Sequence, residues 1–128
     1  MIGAVADTSV FVAAESGRAM DLSALPEIIR VSVITIGELR HGVLSAADPT
    51  IRARRLGTLT RALSLEPIPV TDAIAESWAR LRIELRSLGR SMPINDSWIA
   101  ATAMALRIPV VTQDADYVTV PGLDVIHV

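Results

Sequence analysis

The sequence contains no cysteine and no lysine, and aromatic residues make up only 3% of its 128 positions. Without cysteine the chain can form neither a disulfide framework nor a thiolate metal site, which suits a reducing compartment. Without lysine it cannot complete a GxxxxGK[ST] phosphate loop or a site that pairs a strand-end aspartate with a catalytic lysine. Because aromatic side chains are so few, the core has to be built from Ala, Val, Ile and Leu.

Long apolar runs are also missing, although hydrophobic residues amount to 51% of the chain. No run approaches the roughly 20 residues that span a bilayer. The opening stretch MIGAVADTSVFVAA has no basic leader and carries Asp7, so we expect no signal peptide and a cytoplasmic protein. The length, together with the lack of any linker, repeat or low-complexity segment, predicts one domain over residues 1–128.

The charge balance leaves a nucleic-acid partner open. All 12 basic residues are arginine and 14 residues are acidic, which gives a formal net charge of −2. This balance argues weakly against a polyanion. If a metal neutralised four of the acids, however, the 12 arginines would outnumber the remaining carboxylates. Guanidinium groups are well suited to phosphate recognition, so net charge alone excludes no nucleic acid.

Strand-like and helix-like segments alternate along the chain. Short apolar or β-branched runs predict strands at 2–7, 31–35, 66–70, 108–112 and 124–128, and composition or spacing predicts helices at 8–16, 36–47, 49–65, 71–89 and 94–107. Thr8 and Ser9 are candidate caps of the first helix, and Thr71 is the candidate cap of a later one. Two prolines suit 66–70 to a sheet edge. The alternation predicts an α/β fold with a mostly parallel sheet covered on both faces.

Four carboxylates fall where predicted strands end or helices begin. Asp7 ends the first strand, Glu38 lies one turn into the helix after the second, Asp96 begins the helix 94–107, and Asp114 follows the strand ending at Thr112. Ligands of open parallel sheets bind beyond the carboxyl ends of the strands, so we expect these acids to meet. Clustered carboxylates repel one another unless a cation neutralises them, and oxygen ligands select Mg2+ or Mn2+ over zinc. Such ions support phosphodiester hydrolysis.

Each acid taken alone also has a structural interpretation. Asp7 and Asp96 could be helix N-caps, Glu38 a solvated residue of a helix's first turn, and Asp114 and Asp116 turn residues. Only the joint placement of these acids at one predicted edge of the sheet favours a functional site.

The motifs around these acids carry a family resemblance. They are VADTSVFVA (5–13), SVITIGELRHGVL (32–44), PINDSWIAATAMALRIPVVTQDADY (93–117) and the ending PGLDVIHV (121–128). In this order, and over essentially the whole chain, they resemble the PIN-domain ribonucleases of the VapC toxin type. Two departures are mild: Tyr117 stands where phenylalanine is usual, and Gln113 where a charged residue is common.

The resemblance implies a fold and a set of site residues. The fold is a three-layer α/β/α sandwich with a mostly parallel central sheet. The implied ligands of Mg2+, with Mn2+ as an alternative, are Asp7, Glu38, Asp96 and Asp114, and Asp116 is a second-rank ligand. Thr8, Ser9 and Thr112 would support metal, water or phosphate with their hydroxyl or backbone N–H groups.

The implied function is that of a Mg2+-dependent endoribonuclease, the toxin component of a type II toxin–antitoxin system. A small VapB-type antitoxin would neutralise it, and a toxin homodimer would form a hetero-oligomer with that antitoxin, with no role for a membrane. Candidate contacts to the RNA backbone are Arg40, near the acids, and the series Arg52, Arg54, Arg55 and Arg61, although each could equally be a solvated surface residue. The alternatives are a non-catalytic PIN-like RNA-binding module and a metal-dependent DNA nuclease or phosphatase.

Overall fold

The computed structural model describes residues 2–115 and 117–128. Within these ranges the strands and helices are β1 (Ala4–Ala6), α1 (Thr8–Ser16), β2 (Ile29–Arg30), α2 (Val33–Ser45), α3 (Pro49–Leu63), α4 (Asp72–Ser87), α5 (Ile94–Leu106), β3 (Val110–Thr112) and β4 (Val125–His127). A 3₁₀ turn, Leu22–Ala24, lies between α1 and β2. Among the described helices, none has the length and apolar character needed to cross a membrane.

The strands of the described chain form a parallel sheet in the order β2–β1–β3–β4. β1 lies inside the sheet, where Val5 is in register with Arg30 on one side and with Val110 on the other. The chain builds outward from β1 to β2 and then crosses back to build β3, so the strand order reverses between β1 and β3. This reversal is the switch point at which open α/β sheets bind ligands.

The sheet is the middle layer of three. Alternate side chains of β1 point to opposite faces: Val5 packs with residues of α4 and α5, whereas Ala4 and Ala6 pack with Val10 of α1. On the α1 side, α3 packs against both α1 and α2. The predicted α/β/α sandwich with a parallel sheet is therefore confirmed.

The predicted strand 31–35 is wrong. β2 ends at Arg30, and Ser32 caps α2 by accepting a 3.0 Å hydrogen bond from the Ile34 N–H, so the helix begins at Val33. The β-branched residues that follow Ser32 fit a strand by propensity, but the cap and the burial of Thr35 and Ile36 favour a helix. The predicted edge strand 66–70 is reduced to one parallel bridge between Ser32 and Ile68.

The helix N-termini confirm one capping prediction and correct others. The Thr71 hydroxyl accepts from the Ile74 N–H at 3.3 Å and caps α4 as predicted. The cap of α1 is Asp7 rather than Thr8 or Ser9. In α5 the N-cap is Pro93, which has no side-chain cap, and Asp96 lies within the first turn, so the interpretation of Asp96 as an N-cap is wrong.

Candidate active site

Asp7 is a buried carboxylate at the end of β1, with only 4% of its surface exposed. Its Oδ1 accepts from the Ser9 N–H at 3.1 Å and from the Ser9 hydroxyl at 2.5 Å, and its Oδ2 accepts from the Thr112 hydroxyl at 2.7 Å. Burial raises the pKa of Asp7, and the hydrogen bonds from Ser9 and Thr112 oppose that rise. Asp7 is thus both the cap of α1 and a carboxylate in a fixed orientation.

Thr112 connects Asp7 to the loop that carries Asp114. While its hydroxyl donates to Asp7, its oxygen accepts a 2.9 Å hydrogen bond from the Asp114 N–H. The next backbone N–H, that of Gln113, donates to the Ser9 hydroxyl at 2.9 Å. The residues on both sides of the switch point therefore share one hydrogen-bond network, and the Asp114 side chain, which is exposed, begins from a fixed backbone position.

Glu38 reaches the same edge from α2. The Thr8 hydroxyl donates to Glu38 Oε1 at 2.6 Å and lies 3.0 Å from the hydroxyl of Thr35. Thr35 is fully buried and precedes Glu38 by three residues, so both lie on one face of α2. We did not predict a role for Thr35; a threonine three residues before a candidate acid is the signal in the sequence.

Asp96 lies in the first turn of α5 and faces the other acids. Burial, and then the negative charges of Asp7, Glu38 and Asp114, raise the pKa of Asp96 to about 6. The charge effect operates only between groups that share a neighbourhood. The fold therefore brings Asp7, Glu38, Asp96 and Asp114 within electrostatic reach of one another at a single edge of the sheet. The remaining candidate, Asp116, lies outside the described residues.

Two side chains from other parts of the sequence, Trp78 and Tyr117, contact the first turns of α5. The Trp78 indole N–H donates to the Ser97 hydroxyl at 3.0 Å, which in turn donates to the Ile94 carbonyl at 2.6 Å. The rings of Trp78 and Trp98 stack with centroids 4.4 Å apart and planes 4° from parallel. The buried Tyr117 hydroxyl donates to the Asp96 carbonyl at 3.2 Å.

These contacts hold the first turn of α5, which has no side-chain cap, in place. Burial and the nearby charges of Asp7 and Asp96 raise the pKa of Tyr117 far above its usual range, so its hydroxyl keeps its proton and remains a donor. No pattern in the sequence pairs Trp78 with Ser97 or Tyr117 with Asp96, and we did not predict either contact.

Two cavities flank Glu38. The larger, of about 610 Å3, is lined by Val33, Ile34, Gly37, Glu38, His41 and Asn95. The smaller, of about 230 Å3, is lined by Thr8, Val12, Glu15, Glu38, Leu39, Gly42 and Arg55. Glu38 thus forms a wall between the two, and an extended ligand that occupied both would pass over this carboxylate.

The donor set fits a hard divalent cation. Carboxylate and hydroxyl oxygens are the ligands of Mg2+ and Mn2+, and a cation would offset the repulsion that, together with the larger effect of burial, raises the pKa of Asp96 to about 6. In the described part of the chain, no three His, Cys, Asp or Glu side chains already lie close enough to hold an ion.

Three of the arginines singled out in the sequence, all in α3, donate to oxygens of α2, of its C-cap or of α3 itself. Arg55 donates to the Gly42 carbonyl at 2.7 Å, Arg52 to the Ala46 carbonyl at 3.1 Å, and Arg61 to the Thr58 hydroxyl at 3.1 Å. Arg40 and Arg54 are exposed. Arg55 also lines the smaller cavity, so it shares a cavity with Glu38.

The raised pKa of Asp96 predicts a pH-dependent stability of the metal-free protein. The folded state holds this proton more tightly than the unfolded chain, so the stability it contributes is complete below about pH 4 and is lost as the pH rises through about 6. Asp96→Asn removes the titrating group. In EDTA we expect its unfolding free energy to match the wild type near pH 4 and exceed it by about 1–2 kcal/mol at neutral pH. Denaturant unfolding across this range measures the difference, and a pH-independent difference would contradict the prediction.

Tyr117→Phe should loosen the first turn of α5. The change keeps the buried ring and removes the hydrogen bond to Asp96, so we expect a loss of about 1 kcal/mol in unfolding free energy. Thr58→Val is the control, because both hydrogen bonds of the buried Thr58 hydroxyl lie within α3. Hydrogen exchange in residues 94–98 should speed up in Tyr117→Phe alone; equal protection there in both variants would argue against this role for Tyr117.

Comparison with known proteins shows the family of this chain. The PIN domain profile matches residues 4–123. The chain is 50% identical to ribonuclease VapC5 of Mycobacterium tuberculosis over 118 residues. This aligned region covers 92% of this chain and 87% of that protein. It is 46% identical over 125 residues to ribonuclease VapC4 of the same species, with 98% and 96% covered. Among solved structures it is similar to VapBC-5 of M. tuberculosis, a member of the VapBC family of toxin–antitoxin systems, with a TM-score of 0.90, 43% identity and 98% of both chains covered.

Proposed function

This chain belongs to the PIN-domain family as a VapC-type member, and we propose that it is a Mg2+-dependent endoribonuclease, the toxin of a type II toxin–antitoxin system. We further propose that it acts as a single domain in the cytoplasm. The relatives are named ribonucleases, and the similar solved structure is named as part of a toxin–antitoxin system. Function within a fold family is decided by the site, so the residues of this chain have to support the assignment.

The observation that carries the proposal is the electrostatic coupling of Asp96 to the other three acids. Partial burial, and then the negative charges of Asp7, Glu38 and Asp114, raise the pKa of Asp96 to about 6. Structural carboxylates are instead paired with cations or used as caps. The coupled acids lower the stability of the ion-free protein, and they lie at a topological switch point of the sheet. Both features favour the interpretation that they bind a metal.

Each residue has a part in this proposal. Asp7, fixed by Ser9 and Thr112, offers an oxygen in a set orientation, and Asp96, Asp114 and Glu38 complete the ligand set. Thr8 orients the Glu38 carboxylate through its 2.6 Å hydrogen bond. When bound, Mg2+ or Mn2+ supplies Lewis-acid stabilisation of charge on the phosphate and lowers the pKa of an attacking water.

A substrate panel tests the activity. We expect the purified protein with Mg2+ to cleave single-stranded RNA, to leave DNA of the same sequence intact, and to release no phosphate from a phosphomonoester. EDTA should stop cleavage and added Mn2+ or Mg2+ should restore it. RNA binding without cleavage would favour the non-catalytic alternative, and cleavage of DNA alone would favour a DNA nuclease.

A small VapB-type antitoxin is the proposed partner, bound to a toxin homodimer. Apolar side chains lie exposed near the smaller cavity, as Val12 does at 44% exposure, and along α2 and α3, as Leu44 and Leu56 do at 72% and 50%. Exposed apolar surface of this kind marks interaction sites. Co-expression with the product of a neighbouring short reading frame should suppress RNA cleavage and yield a complex by size-exclusion chromatography. Two separate peaks and undiminished cleavage would contradict this partner.

A further inference from the structure

A further concavity lies at the carboxyl end of α4, and none of the four carboxylates of the candidate active site lines it. It has a volume of about 240 Å3 and is lined by Arg82, Leu85, Arg86, Arg90 and Ser91. Arg82 and Arg86 are one helical turn apart on α4, and Arg90 follows the turn at Gly89 that ends the helix. No carboxylate is among its described lining residues, although the chain as a whole has a net charge of −2.

Two of these guanidinium groups are fixed in place. Arg82 Nη1 donates to the Met92 carbonyl at 3.0 Å, and Arg90 Nη1 donates to the Thr119 carbonyl at 3.1 Å. Each uses one of five N–H donors in this bond, so most donors remain for a ligand. Because both side chains are already ordered, binding an anion costs less conformational entropy than it would with mobile arginines.

The anchoring carbonyls also place this cavity beside the acids. Met92 lies in the segment that enters α5, whose first turn carries Asp96, and Thr119 lies in the segment that follows Asp114. The cavity therefore borders both segments that bring acids to the site.

Clustered like charges need an explanation. Arginines four residues apart on a helix repel each other and destabilise it slightly. The ion pair formed by α4 among the described residues, Arg80 with Glu76, leaves Arg82 and Arg86 uncompensated by a carboxylate. An anion held between the three guanidinium groups would remove this repulsion, and phosphate suits their planar, multiple-donor geometry.

We propose that the cavity bounded by Arg82, Arg86 and Arg90 binds a backbone phosphate of the RNA substrate, and this rests on the proposed ribonuclease function. The site fixes how the strand lies relative to the scissile bond and reads no base. Arg86, which is exposed, is the residue to change, because its removal breaks neither anchoring bond.

Equilibrium binding of a single-stranded RNA oligonucleotide over a series of salt concentrations tests the site. EDTA prevents cleavage and removes any contact made through a metal. Arg86→Gln should weaken binding roughly threefold to tenfold and lower the slope of log K against log salt by about 0.7, the value for one lost phosphate contact to a single strand. The matched control is Arg18→Gln, which makes the same change of charge at the far end of α1, away from the end capped by Asp7.

The outcomes separate this site from the function it rests on. A change of affinity and slope in Arg86→Gln alone supports the site. Equal changes in both variants, or no measurable RNA binding in EDTA, overturns it. Cleavage of RNA by the wild type with Mg2+ is measured separately, so loss of the ribonuclease proposal would show there even if the salt slopes behaved as expected.

Discussion

Asp96→Asn should abolish RNA cleavage while leaving a protein that folds. We expect the rate to fall by at least about 10²–10³, because the substitution removes a proposed metal ligand whose charge is coupled to the other acids. The variant should not lose stability, since asparagine is nearly isosteric with aspartate and relieves the repulsion at neutral pH. Gel-based cleavage of a labelled RNA under saturating Mg2+ measures the effect.

Asp124→Asn is the control for this experiment. Asp124 is exposed and immediately precedes β4, so it lies at the opposite edge of the sheet from Asp96. The same chemical change there should leave the cleavage rate within about twofold. Equal rates for Asp96→Asn and the wild type would exclude Asp96 from the chemistry.

Asp7→Ala should have the largest effect on stability. Alanine removes the cap of α1 and leaves the hydroxyls of Ser9 and Thr112 without their carboxylate acceptor in a buried position. The loss of the cap and of two charge-assisted hydrogen bonds lowers the unfolding free energy, and the removal of a buried charge offsets part of this loss. We expect a net decrease of about 2–4 kcal/mol in unfolding free energy. Urea unfolding in EDTA measures it.

Asp7→Asn separates the structural part of Asp7 from its proposed metal-binding part. Asparagine is as good a cap as aspartate and still offers an oxygen to Ser9, so we expect a loss of about 1 kcal/mol or less. Cleavage should nevertheless fall as strongly as in Asp96→Asn. Equal losses of unfolding free energy in Asp7→Ala and Asp7→Asn would contradict the role of this side chain as the hydrogen-bond acceptor for Ser9 and Thr112.

The alternation of strands and helices in the sequence was enough to predict a parallel α/β sheet and the edge at which its acids would gather. This works because each acid is tied to a local boundary: Asp7 to the end of β1, Asp96 to the first turn of α5, and Asp114 to the loop after β3. The carboxyl ends of neighbouring strands lie at the same edge of any parallel sheet, so little further information is needed to predict that these acids lie near one another.

The errors have a common physical cause. Segment 31–35 has strand propensity, but the serine cap and contacts with Ile68, distant in sequence, decide its conformation. The contacts that hold the first turn of α5 likewise join residues far apart in the sequence: Trp78 is 19 positions from Ser97, and Tyr117 is 21 positions from Asp96. Local patterns carry no signal of such long-range contacts.

Calorimetric titration with Mn2+ or Mg2+ tests the central claim, that Asp7, Glu38, Asp96 and Asp114 form one divalent-cation site. The wild type should bind the ion, and Asp7→Asn and Asp96→Asn, with their folding verified by denaturant unfolding, should each bind it at least about tenfold more weakly. Asp124→Asn should bind as the wild type does. Unchanged affinity in the folded Asp7→Asn and Asp96→Asn variants would contradict the account.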